Sequence, residues 1–301
     1  GSIKALIVNA KWKPKKDYAL TENERVRKRA LIGSQVWRNP HFEIKDVPTP
    51  NLKDDEALIR VKSCGICGSD THLYETDKDG YIIFSGLTKL PCVLGHEFAG
   101  VVEKTGRKVT TLKAGDKVAV ESIMWCGTCQ PCKNGAPNQC RNVELMGLSA
   151  DGAFAEYAAI SERYCWRINE LENVYSGNDI FDIGALIEPI GCAYNGIFIA
   201  GGGFNPGAAV AVYGAGPIGL GAIVLAKIAG ASKVIAFDSI NERLDIAKEM
   251  GADFAFNIDK CVPSKKIMEI TDGYGAEIQV EAACAAPFTI PEMEKSMSVN
   301  G

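Results

Sequence analysis

The chain has 301 residues, enough for about two domains of ordinary size. Hydrophobic residues make up 47% and charged residues 23%, which excludes disordered, collagen-like and mucin-like proteins. Because 33 Lys and Arg stand against 37 Asp and Glu, the net charge of -4 offers no overall attraction to nucleic acid or anionic lipid. We therefore expect no nucleic-acid partner and no membrane partner.

Short β-type runs separated by turn signals fill the first half of the chain, to about residue 165. The predicted strands lie at residues 5–8, 57–61, 98–103, 117–120 and 153–158. This alternation predicts a β-rich, antiparallel domain.

A basic segment interrupts this pattern near the N-terminus. Residues 11–30 carry eight basic and three acidic side chains. Thr21 and Glu24 have the spacing of a capping box, which predicts a short exposed helix from about Glu22. Such a charge run is usually a solvated face, and no function can be assigned to it.

A dispersed group of residues could hold a catalytic metal. Cys67 lies in C-G-I-C-G-S-D-T-H (residues 64–72), His96 and Glu97 lie in G-H-E, and Glu188 lies in E-P-I-G-C. An open zinc site needs about three protein ligands and one exchangeable position. Each residue alone is more often an ordinary core or surface residue, so only the combination indicates a metal site.

Four cysteines form a much more specific pattern. They have the spacing C-x2-C-x2-C-x7-C, which lets a tight loop present four thiolates to one ion: Cys126, Cys129, Cys132 and Cys140. Zinc is expected, although iron takes similar ligands. Four protein ligands close the coordination sphere, so the site should be structural. Clustered metal-type cysteines and the lack of an opening signal sequence favour the reducing cytoplasm over a disulfide scaffold.

A charge-free stretch lies between Glu188 and Lys227. Its ten glycines and three prolines argue against an unbroken membrane helix. We expect instead a helix, a turn, a buried strand and a glycine loop of an α/β protein.

An apolar strand from Ala208 ends in G-A-G-P-I-G and passes into a helix. Gly214 would permit the tight turn, Gly216 the approach of a pyrophosphate, and Gly219 the packing of helix on strand. A second strand ends in Asp238, which would accept hydrogen bonds from ribose hydroxyls and repel a 2'-phosphate, so NAD is favoured over NADP. Further predicted cofactor contacts are Pro217, Ile218 and Arg243.

With these motifs in this order, the sequence resembles the zinc-dependent medium-chain dehydrogenase family, the alcohol, sorbitol and threonine dehydrogenase group, over nearly its whole length. The resemblance implies a GroES-like catalytic domain at residues 3–195, with a structural zinc lobe at about 121–145. A Rossmann domain, a doubly wound parallel sheet, would follow at residues 196–301. The cofactors implied are two zinc ions per chain, one catalytic and one structural, and NAD.

The resemblance also implies roles for single residues. Cys67, His96 and Glu188 match the catalytic zinc ligands, and Glu97 matches an acid that can exchange onto the metal. Cys192 is an alternative to Glu188, but the E-P motif matches the polyol and threonine dehydrogenase branches.

Three residues of the segment that follows Cys67 match family residues that act beside the catalytic metal. Asp70 matches a carboxylate that orients the histidine ligand, Ser69 the hydroxyl that takes the substrate proton, and His72 the outer end of a proton relay. Ser69 could also be an ordinary turn residue.

The implied reaction is hydride transfer between a secondary alcohol and NAD. The N-terminal segment (residues 11–35) and residues 79–84 are additions to the simplest family pattern, and they resemble a bacterial subgroup acting on cyclitols and sugar-like polyols, including inososes. Two alternatives are a non-catalytic zinc-containing binding protein on a dehydrogenase scaffold and a zinc-free NADPH reductase of the same fold.

The Rossmann part should be incomplete. Four of its strands are predicted, ending near Val280, whereas a doubly wound sheet has six. We expect a longer chain with a missing C-terminal part, and a 301-residue species that is unstable or inactive. Family members commonly form homo-oligomers, so we expect the full-length protein to do so.

Overall fold

The computed structural model describes residues 1–299 and 301, and it divides into two compact units, residues 1–188 and 189–301. The predicted domain boundary at residues 195 and 196 lies slightly later in the chain. Both positions fall within one helical segment, residues 179–200.

The first unit is rich in antiparallel strands, as the alternating pattern predicts. Its strands are β1 (Ser2–Trp12), β2 (Trp37–Pro48), β3 (Glu56–Gly65), β4 (Cys92–Val93), β5 (Glu97–Thr105), β6 (Lys117–Val120), β7 (Ile123–Met124), β8 (Glu144–Leu145), β9 (Tyr157–Ser161) and β10 (Cys165–Arg167). They form a five-stranded sheet in the order β10-β6-β5-β3-β9, a three-stranded sheet β2-β1-β4 and a β7-β8 ribbon.

Four α-helices begin in this unit: α1 (Glu22–Arg27), α2 (Gly68–Tyr74), α3 (Gln130–Lys133) and α4 (Asp179–Tyr194). Helix α1 has the predicted capping box, in which the Thr21 hydroxyl accepts from the Glu24 backbone N–H and the Glu24 carboxylate accepts from the Thr21 backbone N–H. Six of the eight basic side chains of residues 11–30 are exposed, so the segment has the solvated face expected from its charge.

Two of the apolar clusters in the first unit surround the candidate site and the N-terminal segment. One cluster packs on the five-stranded sheet and includes Ile59, Phe98 and Met146. The other joins the basic N-terminal segment to the rest of the unit through residues such as Trp37 and Leu73. The first cluster fixes the strands that end at the candidate site.

The second unit is a parallel sheet with helices, as the predicted succession of strand, glycine loop, helix and strand indicates. Its strands are β11 (Ala209–Tyr213), β12 (Lys233–Asp238), β13 (Phe254–Asn257) and β14 (Ile278–Glu281), and its helices are α5 (Pro217–Ile228), α6 (Asn241–Glu249), α7 (Pro263–Ile270) and α8 (Ala286–Ser296). The order β13-β12-β11-β14, with all pairs parallel, is the order of a Rossmann half-sheet with one added strand. Apolar clusters cover both faces of the sheet.

Among the described residues, one helical segment, residues 179–200, is long and apolar enough to cross a membrane by length and composition alone. It contains Pro189, and its Ala193 and Ile197 are buried in the core of the second unit. These contacts attach the C-terminal part of the segment to the second unit, and 28% of its apolar stretch is buried. The following strand, glycine turn and helix α5 agree with the interpretation of the charge-free stretch as part of an α/β protein.

Candidate active site and cofactor loop

The pairing of β3 with β5 brings the candidate catalytic residues together. These strands are antiparallel with Gly65 opposite Glu97, so the end of β3 meets the start of β5. Cys67 follows β3 as the N-cap of α2, while His96 immediately precedes β5. One donor atom from each of Cys67, His96 and Glu97 lies within 4.8 Å of the other two.

The local backbone explains why this meeting is sterically allowed. A Cβ atom on Gly65 would overlap the carboxylate of Glu97, so any other residue there would displace that side chain from its present position. Gly95, just before the histidine, has φ +90, and a Cβ there would lie 2.9 Å from the Cys64 sulfur and 2.7 Å from the Phe154 nitrogen. Sequence reasoning missed both glycines, although the short G-H-E motif signals the second.

The donor set is largely enclosed by protein. His96 is 6% exposed and Glu97 7%. Burial raises the pKa of the Cys67 thiol to about 11 and raises the pKa of the Glu97 carboxyl above its ordinary value, and the negative charge of Glu188 adds to the rise at Glu97. Buried acidic groups of this kind are stabilised when a cation replaces their protons.

Asp70 lies next to this group on α2. It is 5% exposed, and its Oδ2 accepts a hydrogen bond from the Cys67 backbone N–H at 2.9 Å. Its Oδ1 lies 3.8 Å from His96 Nδ1, and both atoms are buried without a hydrogen-bond partner. A carboxylate beside a ligating histidine is the common means of orienting the imidazole.

Ser69 and His72, the residues predicted to form a proton path, both lie on α2. The Ser69 hydroxyl lies 3.6 Å from the Cys67 sulfur. His72 is one helical turn further on and half-buried, and its carbonyl accepts hydrogen bonds from the Ile83 and Phe84 backbone N–H groups at 3.2 and 3.1 Å. Ser69 and His72 share one side of the helix because residues three apart are neighbours there.

Glu188 is placed differently from the other proposed ligands. It lies outside the group of three donors, and its Oε1 accepts a hydrogen bond from the Ser122 hydroxyl at 2.6 Å. Its role as a zinc ligand therefore stays a prediction. Sequence reasoning missed Ser122, because nothing in its local sequence distinguishes it from other serines.

The four-cysteine lobe is assembled as the spacing predicts. One sulfur from each of the four cysteines lies within 4.8 Å of the others, and Cys129 Sγ lies 3.5 Å from Cys132 Sγ and 3.8 Å from Cys140 Sγ. Sulfur ligands of a tetrahedral zinc lie about 3.8 Å apart, so the donor chemistry and spacing fit zinc. Hydrogen bonds, first that of the Thr128 hydroxyl, lower the pKa of Cys126 to about 5, which favours the thiolate.

The donor set of the first site also fits zinc. Zinc accepts thiolate, imidazole and carboxylate ligands, and such ligands lie about 3.3–3.8 Å apart around the ion. The three donors within 4.8 Å need only small side-chain adjustments to reach that spacing. Among the residues that the structure describes, only these two groups of cysteine, histidine and acidic side chains have ligand spacing.

The glycine loop of the second unit has the geometry of a dinucleotide-binding turn. Gly214 has φ +93, and a Cβ there would lie 2.7 Å from the Ala282 backbone. A Cβ on Gly219 would overlap the Gly214 carbonyl oxygen, whereas one on Gly216 would meet no atom within 4 Å. The loop is therefore tight at its first and last glycines and open at the middle one, which begins α5 as its N-cap.

Asp238 lies at the end of β12 and is 7% exposed. Its Oδ2 accepts from the Ala215 backbone N–H at 2.7 Å and its Oδ1 from the Ile240 backbone N–H at 2.9 Å. Each carboxylate oxygen can accept a further bond. Arg243 Nη1 lies 3.9 Å from Asp238 Oδ2, so both predicted residues stand at the carboxyl end of β12. Pro217 and Ile218 form the first turn of α5.

Comparison with known proteins identifies the class to which this fold and these sites belong. Residues 53–170 match the alcohol dehydrogenase GroES-like domain, and residues 217–299 match the zinc-binding dehydrogenase domain. The chain belongs to the zinc-binding, medium-chain alcohol dehydrogenase family, and it is an alcohol or polyol oxidoreductase of α/β fold.

Individual members of this family are similar to the chain over most of its length. The chain is 41% identical to the scyllo-inosose 3-dehydrogenase of Thermotoga maritima, over 97% of this chain and 76% of that protein. It is 36% identical to an L-threonine 3-dehydrogenase of Bacillus licheniformis, over 91% of this chain and 74% of the relative. A solved Thermotoga maritima structure of the alcohol dehydrogenase type is 40% identical with a TM-score of 0.94, covering 99% of this chain and 78% of that one.

A further solved structure bears on the cofactor. An Escherichia coli CFT073 alcohol dehydrogenase, solved with NADH, is 30% identical with a TM-score of 0.76 over 100% of this chain and 74% of that one. These relatives support a zinc-binding, nicotinamide-dependent oxidoreductase, and they do not favour the non-catalytic binding protein or the zinc-free reductase.

Proposed function

We propose that this protein transfers a hydride between a secondary hydroxyl group of a cyclitol or related polyol and NAD. The observation that carries the proposal is the donor group of Cys67 and the buried His96 and Glu97, with Cys67 at the start of the helix that also bears Ser69. The 41% identity to an inosose dehydrogenase over nearly the whole chain supports a cyclitol as the substrate.

The proposed metal content is two zinc ions per chain. Cys67, His96 and Glu97 would hold one ion, with Glu188 as the fourth protein group at that site, and the four cysteines of the lobe would hold the other. When bound at the first site, zinc supplies a Lewis acid that lowers the pKa of a substrate hydroxyl. The lobe has a closed ligand set and would serve stability only.

The residues around the first site would orient the substrate and move its proton. Ser69 would take the proton of the substrate hydroxyl, and His72, one turn along α2, would pass it outward. Asp70 would hold the His96 ring in place, since its Oδ1 lies 3.8 Å from His96 Nδ1. The Gly95 turn and the β3–β5 pairing keep these groups in register.

The proposed cofactor is NAD, because Asp238, a buried acidic residue at the end of β12, would accept hydrogen bonds from the ribose hydroxyls and would repel a 2'-phosphate. The open middle glycine and the N-terminus of α5 would receive the pyrophosphate. The proposed cytoplasmic location rests on the clustered cysteines, whose spacing is that of a metal site and not of a disulfide scaffold. The proposed homo-oligomeric assembly rests on the family resemblance.

A substrate comparison tests the proposed function. We expect kcat/KM with inositol-type substrates to exceed that with simple secondary alcohols such as 2-butanol by about tenfold or more, because a cyclitol offers several hydroxyls for hydrogen bonding. NAD reduction is followed at 340 nm on the full chain, with the Cys67→Ser variant as the control that should show no turnover. A preference for ethanol or butanol would contradict the proposal.

A further inference from the structure

Ser122 is a buried hydroxyl for which the predicted reaction gives no role. It lies between β6 and β7 and is 6% exposed. Its Oγ donates a hydrogen bond of 2.6 Å to Glu188 Oε1. A hydroxyl bond to an ionised carboxylate at this distance belongs to the short, charge-assisted kind. It therefore restrains a long acidic side chain that otherwise has three rotatable bonds.

The backbone around Ser122 is fixed by the ribbon at the base of the four-cysteine lobe. The Ser122 carbonyl accepts the Met146 backbone N–H at 3.1 Å. Directly after it, Ile123 pairs with Leu145 and Met124 pairs with Glu144 in the β7–β8 ribbon. The lobe cysteines lie between these two strands in the chain, so a metal in the lobe would close the loop that this ribbon begins and ends.

Glu188 lies on α4 one helical turn after Gly184, where a Cβ atom would lie 2.8 Å from Ala99 on β5, the strand that begins at Glu97. Its negative charge contributes to the raised pKa of Glu97, after burial, which is the larger cause. Yet it is not among the three donors that lie within 4.8 Å of one another. The position of its carboxylate thus decides whether it reaches the site, and the Ser122 hydroxyl is one of the groups that fix that position.

We propose that Ser122 is a positioning residue that holds the Glu188 carboxylate beside the Cys67, His96 and Glu97 group and so sets the geometry of that metal site. The inference rests on the proposed function, because it requires a metal at that group. It also connects the two sites, since Ser122 immediately precedes the ribbon at the base of the four-cysteine lobe.

Cobalt substitution tests this role with a readout other than activity. The full chain is loaded with Co²⁺, and the visible absorption of the first site is defined as the part that the Cys67→Ser variant lacks. We expect Ser122→Ala to shift this absorption and to weaken cobalt retention at that site by about tenfold or more in a chelator competition. Ser122→Thr keeps a hydroxyl and should retain both properties.

A matched control separates positioning from general loss of a buried hydroxyl. Ser149 is 5% exposed, and its hydroxyl bonds to Glu144 on the same ribbon but not to Glu188. Ser149→Ala should leave the absorption of the first site as in the wild type. The thiolate-to-cobalt absorption of the lobe and the far-ultraviolet circular dichroism report whether each variant is folded.

A second variant keeps the proposal testable if Ser122→Ala does not fold. Glu188→Asp leaves Ser122 in place but draws the carboxylate back by one methylene, and it should produce a similar cobalt shift. If Ser122→Ala folds and has the cobalt absorption and cobalt affinity of the wild type, the positioning role is wrong but the proposed function stands. If Ser122→Ala does not fold, the same result in Glu188→Asp has the same meaning. A wild-type chain that binds cobalt only in the lobe would overturn both this inference and the proposed function.

Discussion

Gly65 illustrates how single residues shape the candidate site. Its missing side chain makes room for the Glu97 carboxylate at the point where β3 meets β5. The meeting of Cys67 and His96 was expected from the combination of metal-ligand residue types and from the family resemblance, which gave Glu188 as the third ligand and Glu97 as an acid that can exchange onto the metal. Ser122 was not predictable, since its bond to Glu188 joins residues 66 positions apart and depends on the folded ribbon.

Cofactor choice is a prediction at the residue scale. Asp238→Asn keeps the size of the side chain and one acceptor for the Ala215 backbone N–H, but it removes the charge that would repel a 2'-phosphate. We expect the preference for NADH over NADPH to fall by about tenfold or more, equivalent to about 1.4 kcal/mol. Fluorescence titration with both reduced cofactors measures this ratio.

Asp245→Asn is the matched control for that experiment. Asp245 is an exposed residue on α6 that pairs with Lys248, so its loss should not change the cofactor ratio. An Asp238→Asn protein with the wild-type ratio would show that Asp238 does not select the cofactor.

Helices and strands with strong local signals were predictable at the scale of single elements. The capping box placed α1, and the glycine motif placed the β11 turn and α5. The predicted strand at residues 153–158 was only partly right, because the observed strand starts at Tyr157. The Ala153 and Phe154 backbone N–H groups bond instead to the Gly95 and Leu94 carbonyls, a contact between distant residues that no local pattern shows.

The hydrogen bonds between α7 and α8 predict how the stability of the protein depends on pH. Glu292 on α8 accepts hydrogen bonds from Lys295 and from the Ser264 hydroxyl and backbone N–H at the start of α7, and these, the Lys295 bond first, lower its pKa to about 2. A depressed folded-state pKa stabilises the protein above the ordinary value of 4.5, and this stabilisation is lost as pH falls from there toward 2.

We therefore expect Glu292→Gln to lower the free energy of unfolding by about 1–2 kcal/mol at neutral pH, with the difference from wild type shrinking as pH falls below 4.5. Urea denaturation of both proteins at several pH values measures this difference. Glu269→Gln, which removes an exposed carboxylate on α7, should change little. A difference that is constant across this pH range would contradict the account.

At the scale of the whole molecule, the sequence predicted two structural classes in one chain, because short alternating strands give way to an apolar strand, a glycine loop and a helix. The structure has an antiparallel β-rich unit followed by a unit with a parallel sheet, and the chain spans 76% of the length of its inosose dehydrogenase relative. The order β13-β12-β11-β14 is the one expected of the Rossmann sheet that the glycine motif predicts. The exact substrate was not predictable, because hydroxyl recognition depends on side chains that spacing alone does not bring together.

The measurement that tests the central claim most directly is metal analysis of the purified protein combined with NAD titration, on the wild type and on Cys67→Ser. Cys67 belongs to the proposed catalytic group and not to the four-cysteine lobe. The account predicts two zinc ions per chain in the wild type, one in Cys67→Ser, and NAD binding by the wild type. One zinc ion in both proteins, with no affinity for NAD, would contradict it.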